Sequence, residues 1–272
     1  MLSYSKGDHF TVQKSFEPIF KGLALEDLWT HPHLKRFKIK KFREISTLEL
    51  DGTLFFVKRY FGLGIGIFKY ILRGFRDKYG PENEWHKAHL LRKMGIKAVE
   101  PVAFGIERRC GVINRAILVT LKLEGSCLEE LLKEEIDADR KTELIKELAA
   151  FVGRFHALGL SHQDLYLCHL FWSPDSREIR LLDLQRIRFH REQNGHLRLR
   201  WVVKDLAQLD YSSRNVLGRN EYHHLKETFV SIYKHYVPVI SEPGFMRKIH
   251  KKVARIARHD QKIQAVANGK AE

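Results

Sequence analysis

Cysteine is scarce in this chain: Cys110, Cys127 and Cys168 are the only three in 272 residues, and no CxxC spacing occurs. An odd number at those positions gives no disulfide framework, suits a reducing compartment and leaves the three as packing residues. Nowhere do about 18 apolar residues run together, so no segment is expected to cross a bilayer. The opening MLSYSKGDHF has no apolar centre of the kind a secretory signal needs, and the expected location is the cytoplasm. Internal repeats and low-complexity linkers are also missing. Acid is in short supply. Asp and Glu number 33 against 48 Lys and Arg, a formal net charge of +15. That surplus favours polyanionic company: nucleic acid, a phospholipid surface or phosphorylated ligands. A patterned aromatic and basic recognition motif is absent, which argues against nucleic acid.

What is present reads as an ordinary globular protein, with 44% hydrophobic and 30% charged residues, neither disordered nor fibrous. Residues 38 to 60, KIKKFREISTLELDGTLFFVKRY, predict two or three strands, with Asp51-Gly52 as the hairpin turn. A helix is predicted from Glu82 to Met94, stopped by Gly95, and further strands follow over residues 101 to 124. From Asp139 to Gly159 the residues Leu144, Leu148, Phe151, Val152 and Phe155 recur on a helical period. Short strands (LFW, IRLLDL), an arginine-rich hairpin turning at Asn194-Gly195, and helices to the end complete the reading. The expected architecture is α+β and two-lobed: residues 1–121 a strand-rich N-lobe, residues 122–272 a mostly helical C-lobe.

The chemistry centres on SHQDLYLCHLFW, residues 161–172, which places Asp164 between His162 and His169. Taken alone, one acid in an apolar run is more often a satisfied structural group than a catalyst. A second acid, Asp183, sits in the apolar run LLDL, and two acids at the ends of adjacent short strands can serve one site. Upstream, Lys58 ends a strand and Glu84 opens a helix, a separation suited to an ion pair. Lys on a strand, Glu on a helix, Asp in a loop and Asp after the next strand is an order that resembles the protein-kinase arrangement.

Four segments narrow the resemblance. EWHKAHLLRKMGIKAVEPVAFG, SHQDLYLCHLFW, IRLLDLQRIR and WVVKDLAQLDYSS are similar to segments of the lipopolysaccharide core kinase family, the Kdo/heptose kinases of WaaP type, over roughly residues 38 to 215. The resemblance implies a protein-kinase-like fold and transfer of phosphate from ATP to a sugar hydroxyl of the lipopolysaccharide inner core. The form of KDLAQL favours heptose as that sugar, with Kdo as the alternative. It implies that Lys58 contacts the ATP α/β-phosphates and pairs with Glu84, that Asp164 orients the acceptor hydroxyl or takes its proton, and that Asp183 holds Mg²⁺. His169 stands where a kinase has its metal-binding Asn. Imidazole suits a hard, oxygen-preferring ion poorly, so a positioning or water-mediated role stands beside direct ligation. Asp205 is expected to accept backbone hydrogen bonds from the catalytic loop.

Three features depart from the protein-kinase pattern. KFREIS lies where a glycine-rich phosphate loop would be, so phosphate contacts there fall to backbone amides or to Arg43. Gly62-Leu63-Gly64-Ile65-Gly66 fails both the GxGxxG and the GxxxxGK spacings and reads as a hinge or bend. Gln163 occupies the Arg position of the His-Arg-Asp loop and carries no charge to pair with a phosphorylated segment, so loop phosphorylation is not expected to control activity.

The acceptor should account for the charge. Arg186, Arg188, Arg198 and Arg200 are expected to bind an acidic glycolipid; a solvated basic ribbon is the plainer alternative. Two amphipathic segments, Phe61 to Lys78 and the tail FMRKIHKKVARIARH with Met246, Ile249, Val253 and Ile256 on one side, pack on the protein or lie on an anionic membrane, which would make the protein peripheral on the inner face of the inner membrane. An acidic protein partner is also compatible with the charge. Competing readings are a protein or small-molecule kinase on the same fold and a non-enzymatic basic binding protein.

Overall fold

The computed structural model describes residues 9–40, 43–61, 81–109, 112–134, 136–190 and 195–268. The chain divides into two compact units, Met1–Leu123 and Glu124–Glu272.

The first unit is built on a six-stranded antiparallel sheet of order β1-β5-β6-β4-β3-β2. Its strands are β1 (His9–Val12), β2 (Lys35–Lys40), β3 (Arg43–Leu50), β4 (Thr53–Phe61), β5 (Pro101–Arg109) and β6 (Val112–Leu121). Two helices accompany them, α1 (Leu25–Trp29) and α2 (Pro81–Lys93). Asp51 and Gly52 both have positive φ, 47° and 71°, and Leu50 faces Thr53 across the turn. Two positive-φ residues match the right-handed strand twist, which is why Asp-Gly closes this hairpin. Strand alternation then sorts the sheet into two faces. Ile117 and Val119 join Leu28, Phe55 and Val102 in one core, while Leu118 and Ala116 face the opposite way and pack with Trp85 of α2, Phe104 and Ile106. Lys58 lies opposite Leu118 in the ladder, so its side chain leaves the sheet on the α2 side. On α2, Glu84, Ala88 and Leu91 recur at helical spacing and are buried. Gly95, at φ 74°, ends that helix, with the Ile96 N–H on the Leu91 carbonyl at 3.0 Å.

The second unit carries a three-stranded sheet of order β10-β9-β7 and a two-stranded ribbon β11-β8. These strands are β7 (Ser126–Cys127), β8 (Leu160–Ser161), β9 (Leu170–Ser173), β10 (Glu178–Leu181) and β11 (Arg188–Phe189). Five helices make up the rest: α3 (Leu128–Lys133), α4 (Ala138–Ala157), α5 (Gly195–Val216), α6 (Arg219–Tyr233) and α7 (Pro243–Asn268). Asp137 caps α4 by accepting the Arg140 N–H at 2.8 Å, and Leu144, Leu148, Phe151, Val152 and Phe155 bury its apolar face. Past its end Gly159 turns at φ 76°, delivering the chain into β8 and the segment 161–172.

The expected arginine hairpin is not formed. Arg188 pairs with Ser161 and Phe189 with Leu160, and from Gly195 onward the chain is helical, so Arg198 and Arg200 lie on α5 rather than on a return strand. HLRLRWVVKDLAQL alternates over its first residues, but it is also rich in Leu, Arg and Lys, which are good helix formers; the 22-residue helix prevails because it buries Val202, Leu206, Ala207 and Leu209. The turn residues 191–194 fall outside the described residues, as do Gly62–Gly66 and nearly all of the amphipathic segment 61–78. The second amphipathic segment is α7, and Ile249 and Val253 on its apolar side are buried within the unit, so that stripe is spent on packing. Among the described residues no helix is long and apolar enough to cross a membrane.

Gly125 has φ 92°, and a Cβ there would stand 2.1 Å from the Trp172 carbonyl oxygen. Gly125→Ala should therefore destabilise the second unit by on the order of 3 kcal/mol and lower its thermal midpoint by roughly 5–10 °C. Gly218→Ala, in open space at an ordinary φ, should stay within about 0.5 kcal/mol of wild type. Equal midpoints for the two variants would contradict this account of the turn.

Candidate active site

Lys58 and Glu84 form a buried ion pair, Nζ to Oε1 at 2.5 Å, with the residues 6% and 1% exposed. A lysine this desolvated is tolerated because a carboxylate meets it, and the pair fixes the ammonium at one point on the sheet. Arg43 opens β3 opposite Tyr60 of β4, two positions from the Ile45–Lys58 pair, so Arg43, Ile45, Lys58 and Tyr60 share a face of the sheet. On the reverse face Glu44 is bound by Arg59, which also donates to the Trp29 carbonyl. Burial pushes the Glu44 carboxyl up, but the hydrogen bond and charge of Arg59, aided by Ser46 and Arg36, outweigh it and hold the group below its ordinary value.

In the second unit, the loop after β8 is held by one face of α5. The Asp205 carboxylate accepts the backbone N–H of His162 and of Gln163, each at 2.6 Å. One turn on, the Gln208 Oε1 accepts the Leu165 N–H at 3.2 Å, and the Ser212 hydroxyl accepts the Leu167 N–H, also at 3.2 Å. Residues 205, 208 and 212 lie at i, i+3 and i+7, so a single helical stripe takes up four loop donors between residues 162 and 167. Behind it, His156 Nε2 lies 3.3 Å from Asp205, and its Nδ1 lies 2.6 Å from the Tyr233 hydroxyl. The two short bonds hold Gln163 in a left-handed conformation, φ 63°, which a residue other than glycine seldom adopts.

That twist presents Asp164. Its side chain is 26% exposed, with the Gln208 Nε2 donating to Oδ1 at 3.3 Å and Arg186 at 3.7 Å. His169 approaches the Asp164 carbonyl through Nδ1 at 2.7 Å. A carbonyl only accepts, so Nδ1 carries a hydrogen. His162 is fully buried with Nε2 on the Leu182 carbonyl at 3.0 Å, which leaves its Nδ1 without a hydrogen-bond partner among the described residues. Burial is the main cause that pushes this imidazole below its ordinary value. The bond to Leu182, and the Leu182 N–H on the His169 carbonyl at 2.9 Å, tie the loop to the chain just before Asp183. Asp183 itself takes a left-handed conformation, φ 56°, at the start of a short 3₁₀ turn.

The structure thus gathers Asp164, His169, Arg186 and Asp205 on one loop and its supports, with Asp183 one residue beyond the Leu182 link. Arg188 and Arg200 both approach the Trp201 ring, at 5.4 and 5.1 Å from its centroid. The Arg198 side chain lies outside the described residues. Lys204, Gln208 and Ser212 were not singled out from the sequence, although Asp205-x-x-Gln208-x-x-x-Ser212 carries the spacing of a polar helical stripe. Among the described residues no three carboxylate, imidazole or thiol groups converge. Mg²⁺ is commonly held by one or two carboxylates together with substrate phosphates and water, so the carboxylate of Asp183, with His169 nearby, fits an ion carried by a nucleotide.

The match of residues 58–229 to the Lipopolysaccharide kinase (Kdo/WaaP) family spans more than half the chain. The chain is 29% identical over 239 residues to the lipopolysaccharide core heptose(I) kinase WaaP of Escherichia coli, covering 82% of this chain and 89% of that protein. Its counterpart in Pseudomonas aeruginosa is 29% identical over 194 residues, 65% of this chain and 71% of the relative. A solved structure of WaaP in complex with acyl carrier protein superposes with a TM-score of 0.66 at 21% identity, covering 91% of this chain and 98% of that one, which shows the shared α+β, kinase-like fold. The chain belongs to the lipopolysaccharide kinase (Kdo/WaaP) family.

Proposed function

We propose that the protein transfers the γ-phosphoryl group of ATP to a hydroxyl of an inner-core heptose of lipopolysaccharide. The observation that carries this reading is the fixed loop: Asp164 is partly exposed and held by Gln208 and Arg186, while the backbone around it is clamped by α5. The acceptor oxygen attacks the γ-phosphorus, the bond to the β,γ-bridging oxygen breaks, ADP departs, and the hydroxyl proton passes to Asp164. Lys58, immobilised by Glu84, binds the α/β-phosphates, and Arg43 on the same face of the sheet adds charge to them. Asp183 would hold Mg²⁺, with His169 orienting the loop through its bond to the Asp164 carbonyl. Magnesium, when bound, neutralises charge on the β- and γ-phosphates.

The relatives' names, heptose(I) kinase, support heptose over Kdo as acceptor. A glycolipid acceptor places the work at the cytoplasmic face of the inner membrane. Acyl carrier protein, seen with the related WaaP structure, is a further partner that we assign to the second unit. An apolar cavity there is lined by Leu148, Leu206, Leu209, Leu225, Phe229 and Ile249, and an adjoining recess carries Arg214, Arg219, Lys226 and Lys234. Apolar depth with a basic rim suits an acyl chain borne on an acidic carrier.

With Mg²⁺ and deacylated core oligosaccharide, Asp164→Asn should turn over ATP on the order of 10² to 10⁴ times more slowly than wild type, and equal rates would overturn the assignment. Phosphatase-treated protein should keep full activity, because Gln163 is buried and uncharged; a loss restored by rephosphorylation would refute this. In gel filtration the protein should retain acylated carrier more strongly than unacylated carrier, and retention of neither would remove this partner.

A further inference from the structure

Several cations of the second unit are matched by acid. Lys141 pairs with Glu221, Arg177 with Glu143, Arg180 with Glu124, and Arg214 and Lys226 share Asp210. Those around Trp201 are not so paired among the described residues. Arg188 from β11 and Arg200 and Lys204 from α5 lie 5.4, 5.1 and 5.9 Å from the indole centroid. Helix α7 adds two more. It packs along α5: Tyr211 donates to Asp260 at 2.6 Å, and about two turns earlier on both helices Lys252 lies within reach of the charge of Lys204, and of Arg200 and Arg255. No carboxylate pairs with Arg188, Arg200, Lys252 or Arg255 among the described residues, and the two acids that act on Lys204 are engaged elsewhere, Asp164 facing Arg186 and Asp205 accepting the His162 and Gln163 N–H groups.

The field is felt by the lysines themselves. Burial first, then the charge of Arg186, push the Lys204 ammonium below its ordinary value despite the acids Asp164 and Asp205. Lys252 is pushed down by burial, then by Arg255 and Arg200. Cation–π contacts with one indole offset only part of such crowding, about 0.5–1 kcal/mol each at exposed sites. An anion bound among these groups would relieve the rest. The position is informative as well. Lys204 Nζ donates to the carbonyl of Gln163, the residue immediately before Asp164, so the patch begins within one residue of the proposed proton acceptor.

We infer that Arg188, Arg200 and Lys204 around Trp201, with Lys252 and Arg255 next to them on α7, form a subsite for an anionic group, phosphate or carboxylate, carried by the acceptor saccharide next to the hydroxyl that is phosphorylated. This rests on the kinase reading for its ligand, though not for its charge. The subsite draws on β11, α5 and α7, with three of its cations against the Trp201 ring. Lys204 donates to the loop and serves both to brace it and to face the ligand; Lys252 and Arg255 make no hydrogen bond or ion pair with the loop, which makes them the residues to test.

Direct titration of deacylated core oligosaccharide, without ATP, compares wild type with the Lys252→Glu/Arg255→Glu double variant and the milder Lys252→Gln/Arg255→Gln. The expected result is affinity lowered at least tenfold by reversal and less by neutralisation. In turnover, the acceptor KM should rise in parallel while the ATP KM stays within about twofold. An oligosaccharide with its phosphates removed and carboxyls reduced should bind all three proteins alike. Unchanged affinity in the folded double variant, or no binding by wild type, overturns the subsite. So does a defect confined to the ATP KM, which would give the patch to the nucleotide. Flotation with phosphatidylglycerol vesicles separates the lipid source: loss of flotation with oligosaccharide affinity intact would make the patch a headgroup surface. Charge-sensitive binding without phosphate transfer would leave the subsite standing and sink the kinase reading; transfer with charge-insensitive binding would do the reverse.

Discussion

Two backbone N–H groups on one carboxylate hold the loop that carries Asp164 in place. With His162 and Gln163 both donating to Asp205, the chain is forced through a left-handed residue, and only that twist points the next side chain, Asp164, outward. Hydrogen bonds to an ionised group are roughly twice as strong as neutral ones, and here the carboxylate is itself wholly buried, so losing it would strand two donors at once. Gln208 and Ser212 extend the same logic along the helix, each satisfying a loop N–H that no strand or helix partner supplies. The His156–Tyr233 link ties α4 and α6 to the same carboxylate. Four elements therefore meet at one side chain.

The first unit solves a different problem with the same economy. A lysine must be held at a fixed point on a sheet, and strand alternation alone decides on which face it emerges. Leu118 opposite Lys58 shows that this face is the one packed against α2, where helical spacing brings Glu84 round beside Trp85 and Ala88. The ion pair is thus a by-product of two periods, two residues on the strand and 3.6 on the helix, agreeing at one place.

Much of this was legible in the residues. The Asp51-Gly52 turn, the helix ended by Gly95 and the long apolar period of α4 follow from local chemistry that tertiary packing did not override. The order of Lys58, Glu84, Asp164 and Asp183 could be read because each sits in or just after a strand or helix with a recognisable signal, although Lys58 lies three residues inside its strand rather than at its end. Residues 195 onward could not be read in the same way. LRLRW alternates as a strand does, and what decides for helix lies further along, in Val202, Leu206 and Leu209, whose burial depends on partners distant in sequence. The supports of the loop were hidden for a related reason: Gln208 and Ser212 are ordinary polar residues until the loop is laid beside them. So was the charge around Trp201, since Arg188 and Arg255 are brought to one place only by the packing of α5 against β11 and α7.

His162 couples this architecture to proton concentration. Its Nε2 hydrogen is committed to the Leu182 carbonyl and its Nδ1 faces no acceptor among the described residues, so a second proton would have to be carried in an apolar interior. The folded imidazole is consequently harder to protonate than the same residue in the unfolded chain. Above the ordinary imidazole range both states are neutral and the difference costs nothing; as pH falls through that range the unfolded chain takes up a proton that the folded one refuses, and stability declines. Acid thus weakens the joint between the loop that carries Asp164 and the chain leading to Asp183.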